Sequence, residues 1–349
     1  MAQTDPQNVL EQAERFRGAY AAVRQQIACV IVGQDEIVDG VLTCLFVGGH
    51  ALLEGVPGLG KTLLIRSLAE ALSLKFNRIQ FTPDLMPADV TGTTIVVEAA
   101  GGTSGGPSGG GSRQFRFQPG PIFAQIILAD EINRATPKTQ SALLEAMQER
   151  SVTVGGTTHR MAEPFFVMAT QNPIEQEGTY PLPEAQLDRF FFKLLVGYSN
   201  RGELHTILDR TTRAETPTIQ PVLDGPSIVA FQKLVRQVTI APHVQDYAIR
   251  CTLATHPDGQ YATKSAKQFL RFGASPRAAQ TLVLGAKVQA LLDGRGHVSI
   301  DDIKQVTLPA MRHRILLNFE GQAEGITTDL IVNDIRDHLP VEGPVMSNG

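Results

Sequence analysis

Apolar positions recur at helical spacing through residues 9–28, where Leu10, Ala13, Phe16 and Tyr20 share one face. This pattern predicts an amphipathic helix, and a second helix is predicted over residues 35–44. Ala51-Leu52-Leu53-Glu54 has the length of a short buried strand and runs directly into Gly55. The glycine-rich turn that follows gives way to a predicted helix over residues 62–74. Residues 126–129 and 165–169 are compact apolar runs of the kind found in strands covered on both faces. Strand, glycine-rich turn and helix in that order open an α/β architecture.

Between these runs the pattern changes. Residues 93–98 and 113–118 both alternate like strands, and the GGTSGGPSGGGS run at 101–112 lies between them. The two predict a hairpin whose tip cannot bury a core, so the tip is expected to be mobile and dispensable for folding. A second hairpin is predicted at 151–161, turning at Gly155-Gly156. The expected organisation is an α/β nucleotide-binding domain over 1–205, with hairpin inserts near 93–118 and 149–163. A Thr- and Pro-bearing linker follows at 206–225, then an all-α domain at 226–340 and a tail at 341–349. Helices are predicted there over 228–238, 244–255, 276–292 and 300–313.

Composition narrows the class. The 349 residues include 42% hydrophobic and 19% charged positions, enough apolar material for a large core and a smaller second one. A net charge of -4 and the lack of a basic stripe argue against a nucleic-acid partner. Cys29, Cys44 and Cys251 are scattered without metal spacing, which excludes a disulfide scaffold or structural zinc. The start of the chain lacks a signal layout, and no apolar run approaches a membrane span. The expectation is a cytoplasmic protein without membrane insertion.

The chemistry concentrates in three segments. Gly55-Val56-Pro57-Gly58-Leu59-Gly60-Lys61-Thr62 fits GxxxxGK[ST] in full. Its glycines let backbone N–H groups turn inward on a phosphate chain, and the helix that begins there adds its positive end. Lys61 would face the β- and γ-phosphates, Thr62 would offer a hydroxyl to magnesium, and Leu63 continues the cradle. Asp130-Glu131 ends an apolar strand, where the first carboxylate can hold magnesium and the second can polarise a water. Asn172 follows the next apolar run and could hydrogen-bond a phosphate and the attacking water, although Asn before Pro is also a turn-former.

Taken together, GVPGLGKT, LADEINR, ATQNP, LPEAQLDRF and SPRAAQTL resemble the MoxR family of AAA+ ATPases over about residues 25–340. The resemblance implies a parallel-sheet P-loop core followed by a helical lid, with ATP and Mg2+ as cofactors. Lys61 and Thr62 match the Walker A phosphate binders, and Asp130 and Glu131 the Walker B pair. Asn172 matches sensor 1, Arg277 sensor 2, and Val32-Gly33-Gln34 the segment lining adenine. Arg189 in Leu187-Asp188-Arg189-Phe190 matches the arginine finger that acts on a neighbouring subunit. The two hairpins match the inserts of this clade. The resemblance further implies a homo-hexameric ring with chaperone-like action on protein clients, some carrying von Willebrand factor type A domains. The glycine-rich tip is longer than the family pattern leads one to expect.

Alternatives remain at this level. From spacing alone Arg189 also suits a surface ion pair, Arg277 a solvated helix start, and Arg134 a contact across a subunit boundary. A low-turnover ATP-dependent scaffold has no need of Glu131 and Arg189. A nucleic-acid motor could use Arg113 and Arg116 beside Phe115 and Phe117, but that alternation also describes a half-buried strand, and a chelatase-type motor subunit is a close relative that the sequence barely separates.

Overall fold

A computed structural model describes residues 6–56, 58–98, 113–173, 178–212 and 217–342. Pro57, the glycine-rich tip at 101–112 and the tail at 343–349 lie outside the described residues. Helices α1 (Pro6–Val30) and α2 (Asp35–Val47) precede β1 (Ala51–Glu54), α3 (Lys61–Ala71) and β2 (Phe76–Gln80). Next come α4 (Pro87–Thr91), the hairpin of β3 (Gly92–Glu98) and β4 (Arg113–Pro119), then β5 (Ile126–Asp130) and α5 (Pro137–Glu149). The second hairpin, β6 (Ser151–Val154) and β7 (Thr157–Arg160), leads to β8 (Phe166–Gln171), α6 (Glu184–Leu187), β9 (Phe192–Leu195) and α7 (Arg201–Thr211). Helices α8 (Gly225–Gln237), α9 (Pro242–Leu253), α10 (Lys264–Phe269), α11 (Pro276–Leu292), α12 (Ile300–Met311), α13 (Phe319–Ala323) and α14 (Thr328–His338) complete the chain. Helix α7 therefore crosses the boundary expected at 205/206 and occupies the first part of the segment read as linker. Its start is fixed by a capping box in which Asn200 accepts from Gly202 N and Glu203 N.

The sheet runs β2-β5-β8-β1-β9, and every pairing is parallel. Period-two alternation divides its side chains between two cores. Leu53, Ile126, Leu128 and Met168 join Phe16, Leu42, Leu64 and the second-domain helices on one side. Leu52, Ile127, Ala129 and Val167 pack with Leu143, Leu144 and Met147 of α5 on the other. Because all five strands point the same way, their carboxyl ends form one edge, and the residues after β1, β5 and β8 meet there.

Both hairpins form, and they pack on one another. Gly155 and Gly156 take φ values of 57° and 80°, as a type I′ turn requires. His159 is half-buried, and its ring stacks on Phe117 with centroids 3.8 Å apart. Phe115, two residues along the same face, is 82% exposed, so the strand is half-buried at Phe117 and not beyond it.

His50 joins these layers. Val167 N donates to its Nδ1 at 3.0 Å, which places the proton on Nε2, 3.2 Å from Met147 O. Burial pushes the imidazole down to about 4, and also holds buried His313 well below its ordinary range. Both rings are neutral in the folded chain, whereas an unfolded histidine titrates near 6.5. Stability is thus fully present above pH 6.5 and is lost as the pH falls toward 4, by about 3 kcal/mol for His50. The melting temperature should drop steeply from pH 6.5 to 4.5, and His50→Gln should flatten that drop. A melting temperature independent of pH over this range would contradict the assignment.

Candidate functional site

The loop after β1 is shaped by close approach and by left-handed backbone. A Cβ at Gly55 would lie 2.7 Å from Val196 O, so only glycine fits there. Gly58 and Gly60 take φ of 84° and 76°, and Gly60 turns the chain into α3. Lys61 Nζ donates to Gly55 O and, at 3.0 Å, to Val56 O, which seats the ammonium inside the loop. Burial lowers the Lys61 pKa, and the Asp130 and Glu131 carboxylates oppose that shift.

The two carboxylates are held by neighbouring strands. Asp130 ends β5, and Thr170 of β8 donates to its Oδ1 at 2.6 Å. The same hydroxyl oxygen accepts from Glu131 N at 2.8 Å. Glu131 stands at φ 57°, a left-handed conformation that a non-glycine residue seldom takes and that aims its side chain away from the strand. Gln80 Nε2 and Arg134 Nη1 donate to Glu131 Oε2 at 2.7 and 3.1 Å. Arg78, on β2, reaches Asp130 Oδ2 with Nε at 3.1 Å and Nη2 at 2.6 Å.

These groups line one cavity of about 370 Å³, bounded by Gly58–Leu63, Arg78, Asp130, Glu131, Thr170, Gln171 and Asn172. Its floor is the amino end of α3, with a lysine and two carboxylates facing each other above it. Thr62 and Asp130 supply hard oxygen donors at its wall, the set that suits magnesium shared with a phosphate chain.

Most expected residues meet here, and some do not. Gly55 and Val56 form the root of the loop, and Lys61, Thr62, Leu63, Asp130, Glu131 and Asn172 line the cavity. Val32 and Gly33 lie outside that lining, but Gln34 Nε2 donates to Leu59 O at 3.1 Å and fastens their segment to the loop. Arg189 lines a separate hollow with Ser141, Glu145, Gln148, Glu149 and Gln186. Arg277 faces Asp188, 3.7 Å away, and not the cavity. Sequence reasoning missed Arg78, Gln80 and Thr170. Thr170 carried a usable signal, a hydroxyl at the end of an otherwise apolar strand, whereas Arg78 sits in a strand that went unpredicted.

A parallel sheet with a phosphate-type loop after β1 and paired carboxylates after β5 defines a P-loop nucleotide-binding protein with a helical second domain. Residues 50–192 match the ATPase family associated with various cellular activities (AAA), and residues 262–335 match the AAA lid domain. Chaperone MoxR1 of Mycobacterium tuberculosis (strain ATCC 25618 / H37Rv) is 41% identical over 310 residues, 89% of this chain and 79% of that protein. The uncharacterized protein YeaC of Bacillus subtilis (strain 168) is 42% identical over 320 residues, 91% of this chain and 93% of its own. A crystal structure from Cytophaga hutchinsonii, named for an inferred ATPase, superposes with a TM-score of 0.85 at 38% identity, covering 95% and 98% of the two chains. The chain belongs to the MoxR family of AAA+ ATPases. Among the described residues no helix is long and apolar enough to cross a membrane.

Proposed function

We propose that the chain hydrolyses ATP at the cavity between Gly58–Leu63 and Asp130–Glu131, and that turnover drives chaperone-like remodelling of protein partners. The observation that carries this reading is the convergence of Lys61, Thr62, Asp130, Glu131 and Asn172 on one cavity. Lys61 and the α3 amino end would hold the phosphates, and Thr62 and Asp130 would hold Mg2+. When bound, Mg2+ supplies positive charge to the β- and γ-phosphate oxygens. Glu131, fixed by Gln80 and Arg134, would accept the proton of the attacking water as the bond from γ-phosphorus to the ADP oxygen breaks. Asn172 would orient that water. Positioning and fixed charge account for the rate, because the reaction asks little covalent chemistry of the protein.

Arg78 competes for the oxygen of Asp130 that the ion would take. Arg78→Gln should therefore lower the magnesium needed for half-maximal nucleotide binding about fivefold, the equivalent of a partly exposed ion pair near 1 kcal/mol. Calorimetry over a magnesium series reads this, and an unchanged requirement would contradict the competition.

Arg189 lies in a hollow of its own, so we assign it to the nucleotide of a second copy within a homo-hexameric ring. The clients are inferred to be proteins, including partners with von Willebrand factor type A domains, reached through the stacked hairpins. The assignment has a direct test. Arg189→Ala should bind ATP normally and hydrolyse it about a thousandfold more slowly. Mixed with Lys61→Ala, it should recover turnover, because each Lys61→Ala copy offers its intact arginine to a nucleotide-bound neighbour. A cross-linked mixture no more active than its components would sink the trans assignment and favour Arg134.

A further inference from the structure

Asp188 lies at the amino edge of the sheet, where the first domain meets the second. It caps the carboxyl end of α6 shortly before β9 begins, and Phe191 N donates to His50 O at 2.8 Å, beside the start of β1. Phe192 is level with Ala51 in the parallel pairing, so the length of β1, about 13 Å, separates this corner from the loop that leaves the other end of the strand. Three groups of the helical domain converge on the Asp188 carboxylate. Arg314 donates from Nε to Oδ1 at 2.9 Å, and its guanidinium also donates to the carbonyls of Phe190, Phe191 and Ala310. That arginine is 2% exposed and cannot leave without stranding a buried charge. Ser275 Oγ donates to Oδ2 at 2.8 Å while accepting from Arg277 N, which ties the start of α11 to the same carboxylate. The Arg277 guanidinium stands 3.7 Å from Oδ2.

From this arrangement we infer that Asp188 is a positioning residue for the face that serves a second copy's nucleotide: it fixes Arg189 through the backbone and Arg277 through the helical domain. The inference rests on the reading of Arg189 as a group that acts in trans. Arg189 follows Asp188 directly, and on its other side Phe190 is fully buried. Arg189 N and Phe190 N close the turn on Gln186 O and Leu187 O at 3.2 and 3.0 Å. The backbone that carries Arg189 is thus clamped on both sides, and the helical domain makes one of the clamps. Arg277 shares this corner, at the edge opposite its own subunit's cavity, so the nucleotide that Arg189 meets is the one open to Arg277 as well. One carboxylate thereby sets the spacing of two guanidiniums that come from different domains. Any movement of the helical domain is passed to Arg189 through Arg314 and Ser275. Arg189 matters in the transition state, so its displacement lowers turnover more than it weakens ATP binding.

The test uses the full chain, calorimetry with a non-hydrolysable ATP analogue, and phosphate release from cross-linked mixtures. Asp188→Asn keeps an oxygen for Arg314 and removes the charge that Arg277 faces. Alone, it should bind the analogue like the unmodified chain and hydrolyse ATP about a hundredfold more slowly, the cost of a misplacement near 1 Å. Mixed with Lys61→Ala it should recover turnover, because its own cavity is intact and the Lys61→Ala copy supplies an intact Asp188–Arg189 face. Mixed with Arg189→Ala it should recover nothing, because both copies are impaired on that same face. Weakened analogue binding, an unchanged rate, or recovery with Arg189→Ala would each overturn the inference. If Arg189→Ala recovers with Lys61→Ala but Asp188→Asn does not, Asp188 is only structural and the inference fails while the trans reading stands. If Arg189→Ala does not recover either, the trans reading falls and the inference falls with it. Should Asp188→Asn not fold, Ser275→Ala replaces it. It removes one of the two clamping groups and should show a smaller loss of rate with the same pattern of recovery; any other pattern overturns the inference.

Discussion

Lys61→Ala is expected to abolish measurable nucleotide binding while leaving the fold intact. The ammonium lies inside the loop, against Gly55 O and Val56 O, in surroundings whose burial already lowers its pKa. A phosphate chain there would replace those carbonyls as its partner, and no other described lysine lines the cavity. Removing one partner of a buried charge pair costs about 3 kcal/mol, which exceeds a hundredfold in affinity. The side chain is half-buried and donates to two loop carbonyls, so its loss is not expected to unfold the protein. Calorimetry with ADP and with an ATP analogue, beside a melting curve, reads both parts. Binding within a few-fold of the unmodified chain would remove Lys61 from the phosphate site.

Glu131→Gln is expected to separate binding from turnover. An amide keeps the size and the hydrogen bonds offered by Gln80 and Arg134, but it cannot take a proton from water. The left-handed backbone at Glu131 is retained, since Gln carries the same constraint as Glu. Loss of a positioned base lowers rate by about 100- to 10,000-fold. The same substitution removes the charge paired with Arg134, which is partly exposed, so the stability change should stay below about 1 kcal/mol.

Much of this site was legible because its residues are contiguous. The loop and Lys61 declare themselves in eight positions, and Asp130-Glu131 closes an apolar run that could only be a buried strand. The remainder was hidden by exposure and by distance along the chain. Strand β2 reads Phe-Asn-Arg-Ile-Gln and lies at the sheet edge, with Ile79 its one buried residue, so no apolar alternation announces it. Arg78 and Gln80 were missed with it. Helix α5 buries Thr139 and Gln140, and Gln140 donates to the carbonyls of Ile132, Ala135 and Tyr180. Polar residues used this way do not read as a buried face. The pairing of Arg277 with Asp188 joins positions far apart in the chain, which spacing cannot convey. Helix α7 was absorbed into the linker because none of its residues is buried.

Phosphate release by Glu131→Gln, under saturating ATP that calorimetry shows to be bound, tests the central claim most directly. The account predicts ATP affinity within about twofold of the unmodified chain and phosphate release reduced at least about a hundredfold. Release near the unmodified rate, with ATP demonstrably bound, would show that the base lies elsewhere and that this cavity is not where ATP is hydrolysed.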